Sequence, residues 1–204
     1  MENNKFYKGI KTVFGGIVTL VMRIHTHGNE NEIAEGGAII AANHISMADP
    51  VALVVAFKRQ LRILGKKEVF KVPVLSWFAR SMGAYSVDRG KGDVAAMKKT
   101  LSLLGEGEAV CMFPQGKRYP GEELDASQLK NGIGMMVVRS GVPVQPVYIK
   151  TKNNKFRLFR RTDIYIGEKM VFDIPENIEN KQGLYADISK QIFDRICELK
   201  EQNK

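Results

Sequence analysis

Ala38-Ile39-Ile40-Ala41-Ala42-Asn43-His44-Ile45-Ser46-Met47-Ala48-Asp49-Pro50 is the stretch on which the reading of this chain turns. Five small or apolar residues run unbroken and stop at Asn43-His44, and a run that short reads as a strand covered on both faces. Such a strand belongs inside an open α/β sheet, where ligands sit beyond the carboxyl ends of the strands. His44 therefore stands at a site position, with Asp49 five residues further on.

The pair is useful only if the carboxylate reaches the imidazole. On one continuous helix, residues five apart point about 140° away from each other. Ser46-x-x-Asp49 ahead of the apolar run Pro50 to Phe57 reads instead as a helix start, with Ser46 as N-cap and Asp49 in the first turn. His44 then occupies the strand-to-helix turn and can fold back onto Asp49. A plainer reading competes, in which Asp49 only complements the helix dipole and His44 is structural.

Outward from this stretch, strands and helices alternate. Leu61 to Leu64 reads as a strand, and Gly83-Ala-Tyr85-Ser-Val-Asp88-Arg89 contains another short one. Between them, Val69 to Met82 reads as two short helical turns broken by Pro73. Val94, Met97, Leu101 and Leu104 mark an amphipathic helix, followed by the turn Gly105 to Glu108 and the strand Ala109 to Phe113. Leu129 to Gly141 reads as a helix with a glycine C-cap, Val142 to Ile149 as a strand, and Gln182 to Leu199 as a terminal helix. One or two more strands are expected between Phe156 and Phe172. The alternation predicts an α/β fold, a mostly parallel sheet flanked by helices on both faces.

A chain of 204 residues, 44% hydrophobic and 26% charged, is one domain with a core of its own. Its net charge of +9 calls for an anionic partner: nucleic acid, a phosphorylated metabolite or membrane lipid. Lys155-Phe-Arg157-Leu-Phe-Arg160-Arg161 lacks the pattern of a nucleic-acid module and reads as a solvated or membrane-facing edge. Cys111 and Cys197 stand far apart without metal-ligand spacing, so no metal site is expected and a reducing compartment is.

Near the amino end, Phe6, Ile10, Val13, Phe14, Ile17, Leu20, Val21 and Ile24 follow the spacing of one helical face. The uncharged part, Thr12 to Met22, falls short of the ~20 apolar residues that cross a bilayer. Arg23-Ile-His-Thr-His27 offers no small-residue cleavage site for a secretory signal. Two placements fit this basic amphipathic helix: in a membrane interface, or on the protein's own core.

A second chemical motif follows the strand ending at Phe113, namely Phe113-Pro114-Gln115-Gly116-Lys117-Arg118. Proline fixes the exit from the strand, glycine permits close approach, and two cations follow, a combination suited to gripping phosphate. Arg89, delivered by the end of another strand, could join them; by itself each is an ordinary basic surface residue.

Together these blocks resemble the glycerolipid acyltransferase family, which includes 1-acylglycerol-3-phosphate acyltransferase. Asn43-His44-Ile-Ser46-Met-Ala-Asp49 is similar to its N-H-x-S-x-x-D block, and Phe113 to Arg118 to its F-P-E-G-T-R block. Gly83 to Arg89 and Val142-Pro143-Val144-Gln145-Pro146-Val147 match two further blocks, so the four span residues 43 to 149 in family order. The resemblance implies a glycerol-3-phosphate acyltransferase-like fold and a general-base role for His44 with Asp49 orienting it. It also implies that Arg118 binds the acceptor phosphate; Lys117, Gly116, Gln115, Arg89 and Lys66 are expected around that site. Gln115 replaces the family's usual glutamate and Lys117 its threonine. The prolines of the fourth block are expected to shape the sheet edge and pocket wall.

On this basis residues 1–24 are expected to form a membrane-associating helix and 25–204 the catalytic domain. The expected reaction moves an acyl group from acyl-CoA or acyl-carrier protein, the co-substrate, to the 2-hydroxyl of lysophosphatidic acid. No cofactor and no nucleic-acid partner are expected. The expected setting is the cytoplasmic face of the cell membrane, with the protein peripheral or monotopic. Two alternatives stand beside it: a different acceptor, such as glycerol-3-phosphate or another lyso-lipid, and a non-catalytic basic binding module.

Overall fold

In a computed structural model, the backbone is described for residues 3–65, 70, 71, 73–86 and 93–203. The elements in chain order are α1 (Asn3–Met22), β1 (Ile24–His27), β2 (Ala38–Ala42), α2 (Asp49–Ala56), β3 (Leu61–Leu64), α3 (Pro73–Ser81) and β4 (Ala84–Tyr85). They continue as α4 (Asp93–Gly105), β5 (Ala109–Met112), α5 (Gly132–Ser140), β6 (Val144–Thr151), β7 (Thr162–Ile166) and α6 (Lys181–Gln202).

Every residue of β2 is buried, and the pairing explains why. Among the described residues the strands form one sheet in the order β1-β7-β6-β2-β5-β3-β4, which puts β2 at its centre. All neighbours are parallel except β6 and β7, which run antiparallel. Ala38, Ile40 and Ala42 pack on one face with α2 and the inner side of α1, around Leu53, Phe57, Val18 and Met22. Ile39 and Ala41 pack on the other with α4, α5 and α6, around Leu104, Ile133, Ile192 and Ile196. The expected α/β architecture, mostly parallel with helices on both faces, is the one found.

Local details differ from the sequence reading. Pro73 opens α3 and does not break it, because a helix's first residue has no intrahelical use for the N–H that proline lacks. The stretch 156–172 holds one strand, β7, within the one or two expected there. Pro146 lies in β6 at the sheet interior, not at an edge. Its missing donor is replaced locally: the Pro146 carbonyl accepts from Gly167 N–H, while Gln145 Nε2 donates to the Gly167 carbonyl. The neighbouring side chain thus serves the acceptor that an N–H at position 146 would have faced.

The side chains of Phe6, Ile10 and Val13 lie outside the described residues; over the rest of α1, apolar side chains stand on two sides. Phe14, Val18 and Met22 turn inward, with Val18 and Met22 buried, while Ile17 and Leu20 point outward and are exposed. No helix among the described residues is long and apolar enough to cross a membrane.

Candidate active site

Parallel pairing of β2 with β5, with Ala41 opposite Met112, ends the two strands side by side. The residues after β2 and those after β5 therefore emerge at one edge, which brings His44 beside the 113–118 loop.

His44 Nδ1 lies 2.8 Å from Asp49 Oδ2. The same carboxylate oxygen accepts from the main-chain N–H of Ile45 and of Ser46, both at 2.7 Å. An ionised carboxylate only accepts, so the neutral imidazole carries its proton on Nδ1 and leaves Nε2 as the basic nitrogen. The dyad is largely withdrawn from water, with side-chain exposures of 16% for His44 and 3% for Asp49. Phe113 stacks on the imidazole, with ring centroids 3.9 Å apart and planes 14° from parallel.

Ser46 is not the N-cap. Helix α2 begins at Asp49, with Ala48 in the cap position and Pro50 in the first turn. Ser46 Oγ accepts from Ala48 N–H at 3.1 Å, a local turn that competes with capping. The carboxylate of Asp49 closes the turn by accepting the two main-chain N–H groups of Ile45 and Ser46 ahead of the helix.

The partner loop clamps the His44 backbone from both sides. His44 N–H donates to Gln115 Oε1 at 2.7 Å, and the His44 carbonyl accepts from Tyr119 N–H at 2.8 Å. Gln115 is buried, and its Nε2 donates to Gln128 Oε1 at 2.6 Å. Gln128 cannot usefully turn its amide round. Its Nε2 donates to the Glu123 carbonyl at 2.9 Å, and its Oε1 completes the capping box of Asp125 at the short helical turn Ala126–Gln128. Position 128 thus offers an acceptor to position 115, so residue 115 must both accept and donate. Glutamine does this; an ionised glutamate would not.

An apolar cavity of about 520 Å³ opens beside the dyad. His44, Gly116 and Arg118 line it together with Phe14, Val51, Ile63, Met82 and Phe113. Tyr85 and Thr100 add a polar spot to the wall, their hydroxyls 2.8 Å apart. Burial pushes the Tyr85 phenol up, and the Thr100 hydrogen bond only partly offsets it, so the phenol is neutral. Cys111 also faces this cavity; burial and then the nearby Asp49 charge push its thiol far up, which suppresses the thiolate.

Of the residues nominated from sequence, His44, Asp49, Gly116 and Arg118 come together here. Gly116 has φ of +68°, and a Cβ there would meet only Lys130 Cγ at 3.3 Å, so backbone conformation rather than crowding selects glycine. Gln115 sits behind the cavity, not in its wall. Lys117 is exposed, and its Nζ lies 4.8 Å from the Tyr119 ring centroid. Arg89 and Lys66 lie outside the described residues.

Sequence reasoning gave no role to Asn43, Phe113 or Gln128. Asn43 is buried and bonds both main-chain groups of Ile149, accepting at 2.7 Å and donating at 3.0 Å, which ties the end of β2 to β6. Its place in the N-H-x-S-x-x-D block was the available signal. For Gln128 the only signal was Asp125-x-x-Gln128, a capping-box spacing.

Comparison with known proteins adds independent support. A family model described as Acyltransferase matches residues 23–150. The 1-acyl-sn-glycerol-3-phosphate acyltransferase of Borreliella burgdorferi is 27% identical over 186 residues, covering 88% of this chain and 74% of that one. The Bacillus subtilis protein of the same name is 27% identical over 196 residues, covering 95% and 96%. The crystal structure of the 1-acyl-sn-glycerophosphate (LPA) acyltransferase PlsC from Thermotoga maritima superposes with a TM-score of 0.66 at 26% identity, covering 98% of this chain and 78% of that one.

Proposed function

The chain belongs to the Acyltransferase family, and from that premise we propose that it acylates the 2-hydroxyl of 1-acyl-sn-glycerol-3-phosphate to give phosphatidic acid. The names of its relatives in Borreliella burgdorferi and Bacillus subtilis support this acceptor. The observation that carries the chemistry is one cavity lined by both the basic face of a His–Asp pair and an arginine, with apolar walls.

In this reading His44 Nε2 takes the proton of the acceptor hydroxyl as its oxygen attacks the thioester carbonyl. Asp49 holds the imidazole in the productive tautomer and stabilises the imidazolium. Collapse of the tetrahedral intermediate breaks the C–S bond, and the imidazolium returns its proton to the departing thiolate. The acyl group passes directly to the acceptor, and the protonated, buried Cys111 supports the absence of an acyl-enzyme. Arg118 binds the acceptor phosphate, and Lys117, Arg89 and Lys66 are the further cations proposed for it. The acyl chains lie along the apolar walls.

The donor is an acyl thioester, acyl-CoA or acyl-carrier protein; the basic surface suits either anionic carrier. Residues 1–24 are the membrane-associating segment and 25–204 the catalytic domain, working at the cytoplasmic face of the membrane as a peripheral or monotopic protein. A thiol-release assay tests the reading, with acyl-CoA and acyl-carrier protein as donors and a panel of lysophosphatidic acid, glycerol-3-phosphate and other lyso-lipids as acceptors. Release dependent on lysophosphatidic acid is the expected result. Release only with another acceptor would replace the substrate, and none with any would overturn the activity.

A further inference from the structure

Four large apolar side chains stand in water where α1 meets the loop that leads into β7. Ile17 and Leu20, one turn apart on α1, are 57% and 75% exposed, and Leu158 and Phe159 are 60% and 66% exposed. The two segments are far apart in sequence but joined: Phe159 N–H donates to the Val21 carbonyl at 2.7 Å. Phe159 sits in the left-handed backbone region with φ of +59°, and Arg23, at the exit of α1, has φ of +44°. A bulky residue in that region is strained, so the backbone works against itself here to hold a phenylalanine outward.

The two segments that carry these residues are basic in sequence. No acidic residue occurs between Glu2 and Glu30, nor between Asp125 and Asp163. Arg23, Lys155, Arg157 and Arg160 are all exposed, whereas Arg161 is committed to Asp163. Apolar tips rimmed by long cationic side chains match the boundary of an anionic bilayer: the tips enter the acyl region while the cations stay among the headgroups. The opposite side of α1 contributes Phe14 to the cavity wall, so one helix borders both the surface and the site.

We infer that the outer face of α1 and the Leu158–Phe159 loop form one docking surface for an anionic lipid bilayer, with the loop as an insertion point separate from the amino-terminal helix. The inference rests on the reading of the protein as an enzyme of bilayer lipids. It adds an anchor contributed by the catalytic portion of the chain, after the matched residues 23–150.

The test is flotation of the full-length chain with phosphatidylglycerol-containing vesicles and with pure phosphatidylcholine vesicles. The wild-type chain is expected to favour the anionic vesicles. The double variant L158S/F159S is expected to lose at least about tenfold in partitioning to them, while its turnover of a short-chain, water-soluble lysophosphatidic acid stays within about twofold of wild type. Equal partitioning of variant and wild type, or equal binding of wild type to both vesicle types, overturns the proposal. A size-matched check uses F159W in a W77F background: a blue shift of its emission on adding anionic vesicles supports insertion, and unchanged emission overturns it. Failure of the wild type to turn over the soluble acceptor would strike the proposed reaction alone, because flotation reads docking without chemistry.

Discussion

The main-chain N–H of His44 ends on the side-chain carbonyl of Gln115, 2.7 Å away, so a residue outside the cavity decides where the His44 turn sits. Gln115 in turn donates to Gln128. In the Gln115→Glu variant, a carboxylate retains the first bond but faces the Gln128 carbonyl with no proton to offer. Burial favours its neutral form, which restores the donor. The ratio of variant to wild-type kcat should therefore rise as pH is lowered. Gln115→Leu, which removes both bonds, should cost about 2–4 kcal/mol of stability and lower kcat more than it alters KM. A flat kcat ratio across pH would count against this positioning role.

Loss of a positioned general base costs about 10²–10⁴-fold in rate. His44→Ala should fall by that much in kcat with its melting temperature nearly unchanged. Asp49→Asn should lose activity and also melt earlier, because Asp49 receives two main-chain N–H groups as well as the imidazole. Equal melting temperatures for the two variants would remove the structural half of the Asp49 assignment. Wild-type turnover in His44→Ala would remove the catalytic one.

Arg118 lines the cavity at the loop after β5. A charge-assisted hydrogen bond contributes about 1.5–3 kcal/mol, so Arg118→Ala should raise KM for a phosphorylated acceptor by about tenfold or more and leave KM for the thioester donor unchanged. Lys117→Ala should change either constant less, since the ammonium rests on Tyr119 and outside the cavity wall. Steady-state kinetics with each substrate varied in turn separates the two.

Two strands from β2, Asp163 of β7 accepts from Arg161 and lies 2.8 Å from His27 Nε2. Burial raises the pKa of this carboxyl, but the hydrogen bonds from Arg161 and His27 outweigh it and hold the value below the ordinary 3.8. The unfolded chain then binds the proton more readily than the folded one, so the contribution to stability is complete above about pH 4 and lost as pH falls through the depressed value. Asp163→Asn should cost about 1–2 kcal/mol at neutral pH, a figure kept low because Arg161 is more than half exposed. Denaturant melts at pH 7 and pH 3 should show the gap between variant and wild type closing at the lower pH.

The central strands and the two loops that follow them were legible in the sequence because both signals are local. An unbroken apolar run has few alternatives to a buried strand, and His44, Asp49 and the 113–118 block lie directly after such runs. What was not legible depends on partners distant in the chain. The direction of Gln128's amide is set by Asp125 and Glu123, and only that direction explains glutamine at 115. Whether Pro146 lies at an edge depends on β7, which arrives later in sequence and pairs antiparallel. The two faces of α1 were merged because apolar residues surround the helix, and spacing alone does not say which side meets the core. Ser46 misled for a physical reason: serine serves a tight turn as readily as a helix cap.

The bonds that build the His–Asp pair close loops of three to five residues, whereas the clamp from Gln115 closes one of 71. Loop-closure entropy grows with separation, and loops held by few contacts open at lower cost than the core. The His44–Asp49 pair is thus a self-contained unit that forms with the β2–α2 corner, and the 113–119 loop is a separately assembled cover. In hydrogen exchange the amides of Ile45 and Ser46, both held by Asp49, should outlast the amide of His44, which is released when the 113–119 loop lifts away.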